Sequence, residues 1–278
     1  MRLVGFLKDG VRHMGAVEGD QVRDLGTAKE FWVEPKAGAT AVGGDVVPLS
    51  SVTQAPAVPE TSRIFCVGIN YHSHAGEAKS VAGLDVPKYP MIFARWQQSL
   101  VVDGDAVPVP PKEEGLDWEV ELAAVIGARV WEAEEATALD HVFGYTAFND
   151  LSARTKQLLT PQFTLGKNSD RSGPIGPVLV TSDEFGDPSG VRVETRVNGE
   201  VMQSGNTKDL IHSVGQIIEF ITDTLTLLPG DVIATGTPGG VGVGRDPQVF
   251  LHPGDVVEVE VERIGVVRNP IVDRGDLV

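Results

Sequence analysis

Cysteine is almost missing from this chain: Cys66 is the only one in 278 residues. No intramolecular disulfide framework can form, and a reducing compartment is the expectation. Long hydrophobic runs are missing too. No apolar stretch approaches the ~18 residues that a membrane helix needs. The opening MRLVGFLKDG reaches Lys8 and Asp9 too soon for a secretory signal, so a soluble cytoplasmic protein is expected. Basic residues are in deficit, with Lys+Arg 23 against Asp+Glu 39 and a formal charge of −16. Such a chain does not condense onto nucleic acid or an anionic membrane, so neither is an expected partner. An anionic small molecule is not excluded, because a local site can still be basic.

Glycine and proline are plentiful, at 32 and 18. Frequent turns favour a strand-rich fold over a helix bundle. Residues 1–60 read as a small β unit, with LVGFL, HMGAV and QVRDL separated by Asp9-Gly10 and Gly19-Asp20. VTQAPAVPE, with Pro56 and Pro59, reads as a linker or extended crossover, and a second unit starts near Ser62. WEVELAAVIG (118–127) reads as a strand, and VRVETRVNGEVM (191–202) as a hairpin turning at Asn198-Gly199. Leu210, Ile211, Val214, Ile217, Ile218 and Ile221 predict a helix over about 207–224, capped by Asn206. A shorter helix is expected from Glu134 to Leu139.

Five constellations carry chemistry. Glu119 and Glu121 fall on one face of a strand, where two carboxylates repel each other. A divalent cation would relieve them, and oxygen ligands suit Mg²⁺, Mn²⁺ or Ca²⁺; a solvated strand face is the alternative. Asp150 offers a third carboxylate, or a helix cap. Arg154 and Gln157 are three apart and share a helix face, either to hold a carboxylate or simply to face solvent. His74 and Glu77 are also three apart, as a general base with its orienting carboxylate or as a polar surface turn. Beside them His72 lacks the spacing of a zinc site. Lys167 follows Gly166, as an anion-binding group or a surface lysine. The loop from Ala234 to Gly244 is too poor in Lys for a P-loop and reads as an oxyanion cradle or a plain turn.

The order of these phrases is more specific than any one of them. N-Y-x-x-H-x-x-E (70–77), D-W-E-V-E-L-A-x-V-I-G (117–127) and G-Y-T-x-x-N-D-x-x-A-R-x-x-Q (144–157) come first. G-K-x-x-D-x-x-x-P-I-G-P (166–177), V-N-G-E-x-x-Q (197–203) and L-x-P-G-D-V-I-x-T-G-T-P-x-G-V-G (227–242) come after them. Together they resemble the fumarylacetoacetate hydrolase family from about residue 62 onward.

The resemblance implies a β-rich α+β fold: a mixed β-roll catalytic domain (61–278) behind a small N-terminal β domain (1–60), working as a homodimer. It implies that Glu119, Glu121 and Asp150 hold Mg²⁺ or Mn²⁺, with Ca²⁺ as an option. It makes His74 and Glu77 a pair on a lid over bound substrate. It gives Arg154, Gln157, Lys167 and Thr237, with Gly236 beside it, to substrate oxygens. The implied substrate is a small keto acid. The implied reaction is hydrolysis of a C–C bond in an acylpyruvate: His74 deprotonates water, Lys167 with Gln157 or Arg154 steadies the oxyanion, and pyruvate leaves. Isomerisation, decarboxylation, or chemistry on a sugar-derived keto acid are its alternatives. Two residues depart from the family pattern: Arg95 stands where Lys is usual, and Ser169 where an aromatic is usual.

Overall fold

The computed structural model describes residues 1–83 and 85–277. Two sheets make up the fold. The larger has twelve strands, and its main path runs in the order Val46–Pro48, Gln21–Thr27, Val11–Glu18, Arg2–Lys8, Gly173–Thr181, Val142–Asn149, Val120–Ile126, Val232–Ala234, Ile64–Gly68, Met91–Arg95. The smaller has five strands, in the order Glu200–Asn206, Arg192–Val197, Val256–Val261, Gly265–Asp273, Val107–Val109. The fold is therefore β-rich α+β.

The central strand Val120–Ile126 is buried at every position. A strand covered on both faces shows a continuous apolar run rather than an alternation. Its even-numbered residues, Leu122, Ala124 and Ile126, join a core with Val193, Val259 and the helix Val214–Thr222. Its odd-numbered residues Ala123 and Val125 join a different core with Leu3, Met14, Phe31 and Trp32 from the N-terminal segment. Arg2–Lys8 also pairs antiparallel with Gly173–Thr181, so the first sixty residues share both a sheet and a core with the remainder of the chain.

The hairpin turns where the sequence places it, with Asn198 at φ 51° and Gly199 at φ 85°, the geometry a type I′ turn needs. The three N-terminal strands also fall as read. A helical turn lies within 134–139, at Glu135–Ala138.

The predicted helix over 207–224 is a correction. Asn206 caps only a 3₁₀ turn, Thr207–Asp209, and the α-helix starts at Val214. Ile211 and His212 are drawn out of helical geometry by Asn70: the Ile211 N–H donates to its carbonyl (2.8 Å), and the His212 N–H to its Oδ1 (2.8 Å). The helix gets its own cap, a reciprocal box between Ser213 and Gln216.

Candidate active site

Glu121 stands on the odd-numbered face at the start of strand Val120–Ile126, and Glu119 precedes the strand by one residue. Its neighbour Val142–Asn149 ends one residue before Asp150, and the Asp150 N–H donates to the Glu119 carbonyl (2.9 Å). Sheet pairing thus brings the two segments together. Carboxylate oxygens of Glu119, Glu121 and Asp150 lie within 4.8 Å of one another, and all three residues are buried. The solvated-face reading of the acid pair and the cap reading of Asp150 both fall. The next helix is Arg154–Leu158, with Ala153 at its N-cap.

Three cations enclose the triad. Lys167 Nζ bonds Glu119 Oε2 (2.8 Å) and Asp150 Oδ2 (2.7 Å). Arg95 Nε bonds the other Asp150 oxygen, and Arg95 also donates to the Leu151 carbonyl and Ser172 Oγ. Arg154 Nε donates to Asp117 Oδ2 (2.7 Å), and its Nη2 lies 2.7 Å from Glu119 Oε1. Neither Arg154 nor Lys167 faces solvent.

Acidic groups outnumber basic ones here. Four buried carboxylates, Asp117, Glu119, Glu121 and Asp150, face three buried cations. Burial raises the Glu119 pKa, but Lys167 and Arg154 outweigh it and the net shift is downward. Burial, Asp150 and Glu119 push the Glu121 pKa well up, and the Gly236 N–H (2.8 Å) and Lys167 offset them only in part. Burial lowers the Lys167 pKa, yet Asp150 and Glu119 hold it above normal. An all-oxygen donor set of three clustered carboxylates fits a hard divalent ion such as Mg²⁺ or Mn²⁺.

Above the triad lies the helix His72–Ala82. His74 Nδ1 and Glu77 Oε2 are 2.9 Å apart, which leaves Nε2 free for chemistry. Glu77 Oε1 accepts from the Gly240 N–H (2.7 Å) and Ser73 Oγ from the Gly239 N–H (3.0 Å), docking the helix on the glycine-rich loop. Gly244 is needed there, since a Cβ would meet Glu77 at 2.9 Å. Together these groups bound a cavity of about 70 Å³, reached by His74, Glu77, Arg154, Gln157, Lys167 and Thr237.

The loop itself differs from the cradle reading. Its N–H groups are taken by this chain's own side chains: Gly236 by Glu121, Gly239 by Ser73, Gly240 by Glu77, and Gly242 and Val243 by Asp117. Gly236 thus serves Glu121 directly. Thr237 lines the cavity, with its Oγ1 accepting from Gln203 Nε2 (2.9 Å).

Asp117 was not among the sequence candidates. It is fully buried and accepts from the N–H groups of Trp118, Gly242 and Val243 as well as from Arg154. The clue was present: it stands two residues before Glu119, as Glu119 stands two before Glu121. Arg95 was noted only as a departure from pattern, and its place against Asp150 needed the fold.

Residues 63–272 match the family model described as Fumarylacetoacetate (FAA) hydrolase C-terminal, and the chain belongs to the fumarylacetoacetate hydrolase family. It is 43% identical over 229 residues to the oxaloacetate tautomerase FAHD2A, mitochondrial, of Homo sapiens, covering 82% of this chain and 72% of that protein. It is 42% identical over 232 residues to the oxaloacetate tautomerase YisK of Bacillus subtilis, covering 83% and 76%. Among solved structures it resembles the fumarylacetoacetate hydrolase of Exiguobacterium antarcticum, with a TM-score of 0.82, 36% identity and coverage of 99% and 100%.

Proposed function

We propose that this protein is a metal-dependent isomerase that interconverts the keto and enol forms of a short 2-keto dicarboxylate such as oxaloacetate. The observation that carries the proposal is the free Nε2 of His74 on a cavity that Glu119 and Glu121 also line, with Asp150 clustered against them. The oxaloacetate tautomerase names of two relatives support the substrate class.

The chain's own groups divide the work. Glu119, Glu121 and Asp150 would hold the divalent ion, which draws electron density from the 2-keto-acid end and makes the C3 proton easier to remove. His74 Nε2 takes that proton, and Glu77 steadies the imidazolium that forms. The same nitrogen returns the proton to the C2 oxygen, so no atom is gained or lost. Gln157 Oε1 accepts from Arg154 Nη1 (2.7 Å), which turns the Gln157 amide N–H₂ outward. Arg154 Nη2 is ion-paired with Glu119 Oε1 at 2.7 Å. The Gln157 amide, beside the Arg154 guanidinium, suits the distal carboxylate of a dicarboxylic acid.

Acylpyruvate hydrolysis is the second reading. It is favoured by the apolar residues in the same cavity, which suit an acyl tail, and by the name of the Exiguobacterium structure. A homodimer belongs to the same proposal and is read by light scattering in solution.

Ultraviolet absorbance of freshly dissolved enol-oxaloacetate decides between the readings. With Mn²⁺ present, loss of the enol band at an enzyme-dependent rate, abolished by EDTA and by His74→Ala, is expected. Release of acetate from acetylpyruvate with no effect on the enol band would replace the tautomerase by the hydrolase.

A further inference from the structure

We infer that Ile69 and Phe163 are specificity-determining residues: they form an apolar wall of the reaction cavity, held there against backbone strain. Among the described residues, seven non-glycine residues have positive φ. Five are polar or charged: Asp9, Glu132, Arg171, Asn198 and Arg263. The two apolar ones are Ile69 (φ 55°) and Phe163 (φ 62°), and both line the same cavity. A β-branched or bulky residue in this region is an outlier, and such residues persist only where their surroundings over-determine them.

The surroundings do so at both places. After Ile69, the Asn70 amide donates to the carbonyls of Thr235 (2.7 Å) and His212 (3.0 Å), while its Oδ1 accepts from the His212 N–H (2.8 Å). This clamp fixes the chain just before the helix that carries His74. After Phe163, the Lys167 N–H donates to the Phe163 carbonyl (3.0 Å), opening the single turn that carries Lys167. The Phe163 ring meets Phe93 edge-on at 6.1 Å, and Phe93 lies 5.2 Å from Lys167 Nζ.

The backbone path gives no reason for a bulky side chain at either position, because glycine adopts these angles freely. What the side chains add is the wall. It offers neither charge nor hydrogen bond, so it accepts the hydrocarbon of a short 2-keto acid and refuses a bulky one. The substrate part of the inference rests on the proposed tautomerase reading; the strain part does not.

Four variants test it: Ile69→Gly, Ile69→Ala, Phe163→Gly and Phe163→Ala. The ratio of kcat/KM for oxaloacetate over phenylpyruvate is expected to fall tenfold or more in each glycine variant. A ratio within twofold of the parent in both would overturn the wall. Melting temperatures read the strain separately. Glycine is normally less stable than alanine, yet at these φ angles each glycine variant is expected to melt above its alanine partner by about 2 °C or more. Alanine melting above glycine at both positions would overturn the strain. Calorimetry with Mn²⁺ and oxalate, which has no tail, separates the two readings. Oxalate affinity unchanged across the variants, with phenylpyruvate affinity rising tenfold, supports the wall. A parent protein that binds neither acid would sink the tautomerase reading and the wall with it, while the melting order would still decide the strain.

Discussion

Two clusters of opposite charges differ chiefly in their surroundings. On the small sheet, Arg192, Arg196, Glu194 and Glu260 form a ladder whose side chains are 16 to 46% exposed. Around the triad, Arg95, Lys167, Glu119 and Asp150 are 6% exposed or less. Water screens the first set, and its pairs contribute little. The second set has no such relief. Each charge there is tolerable only because another faces it, so loss of one partner is costly. The same residue types make a solvated surface in one place and a buried, tightly paired cluster in the other.

The largest effect expected from breaking that contrast comes from Asp150→Ala. It leaves Arg95 and Lys167 buried without their shared carboxylate and costs about 3–5 kcal/mol. Thermal melting reads it, and a variant melting within a degree of the parent would contradict the comparison. His74→Ala touches no buried charge pair of the triad. It should lower turnover about 10²–10⁴-fold while melting and Mn²⁺ affinity hold; stopped-flow absorbance and calorimetry separate the two. Asp117→Asn keeps the shape of its site but weakens the hold on Arg154 and the glycine-rich loop. A loss of about 10–100-fold in kcat/KM is expected, the scale of other outer-shell changes. Glu260→Gln on the exposed ladder should cost less than about 1 kcal/mol by urea denaturation.

The ladder also has a sign in pH. Burial nudges the Glu260 pKa up, but Arg196 and Arg192 outweigh it and hold it below normal. Its contribution is present above the unfolded carboxylate value of about 4.3 and is lost as pH falls through the folded value. The Glu260→Gln penalty should therefore fade in acid; a penalty that grew below pH ~4 would reverse the assignment.

Much of the site was legible because its chemistry is carried by residue type at short spacing. Glu119 with Glu121, His74 with Glu77 and Arg154 with Gln157 each meet within one strand or one helical turn. The hairpin was legible for a like reason, since Asn198-Gly199 encodes its own backbone angles. The rest depends on contacts between distant segments. Ile211 and His212 fit a helical period, but Asn70, about 140 residues earlier, takes their N–H groups. The glycine-rich loop looked free to bind a ligand because nothing local shows that Asp117, Glu77 and Glu121 fill it. Ile69 gave no sign at all: an isoleucine in a left-handed turn is a choice that propensity argues against.

That filled loop has a consequence for inhibitor chemistry. Compounds built to place a phosphate or sulfonate among backbone amides, as they would in a nucleotide site, meet amides already occupied by this chain's own side chains, three carboxylates among them. Selective ligands for this scaffold should instead combine an oxygen chelator with a compact carboxylate for Arg154 and Gln157, and the room left beside Ile69 and Phe163 sets how large the remainder can be.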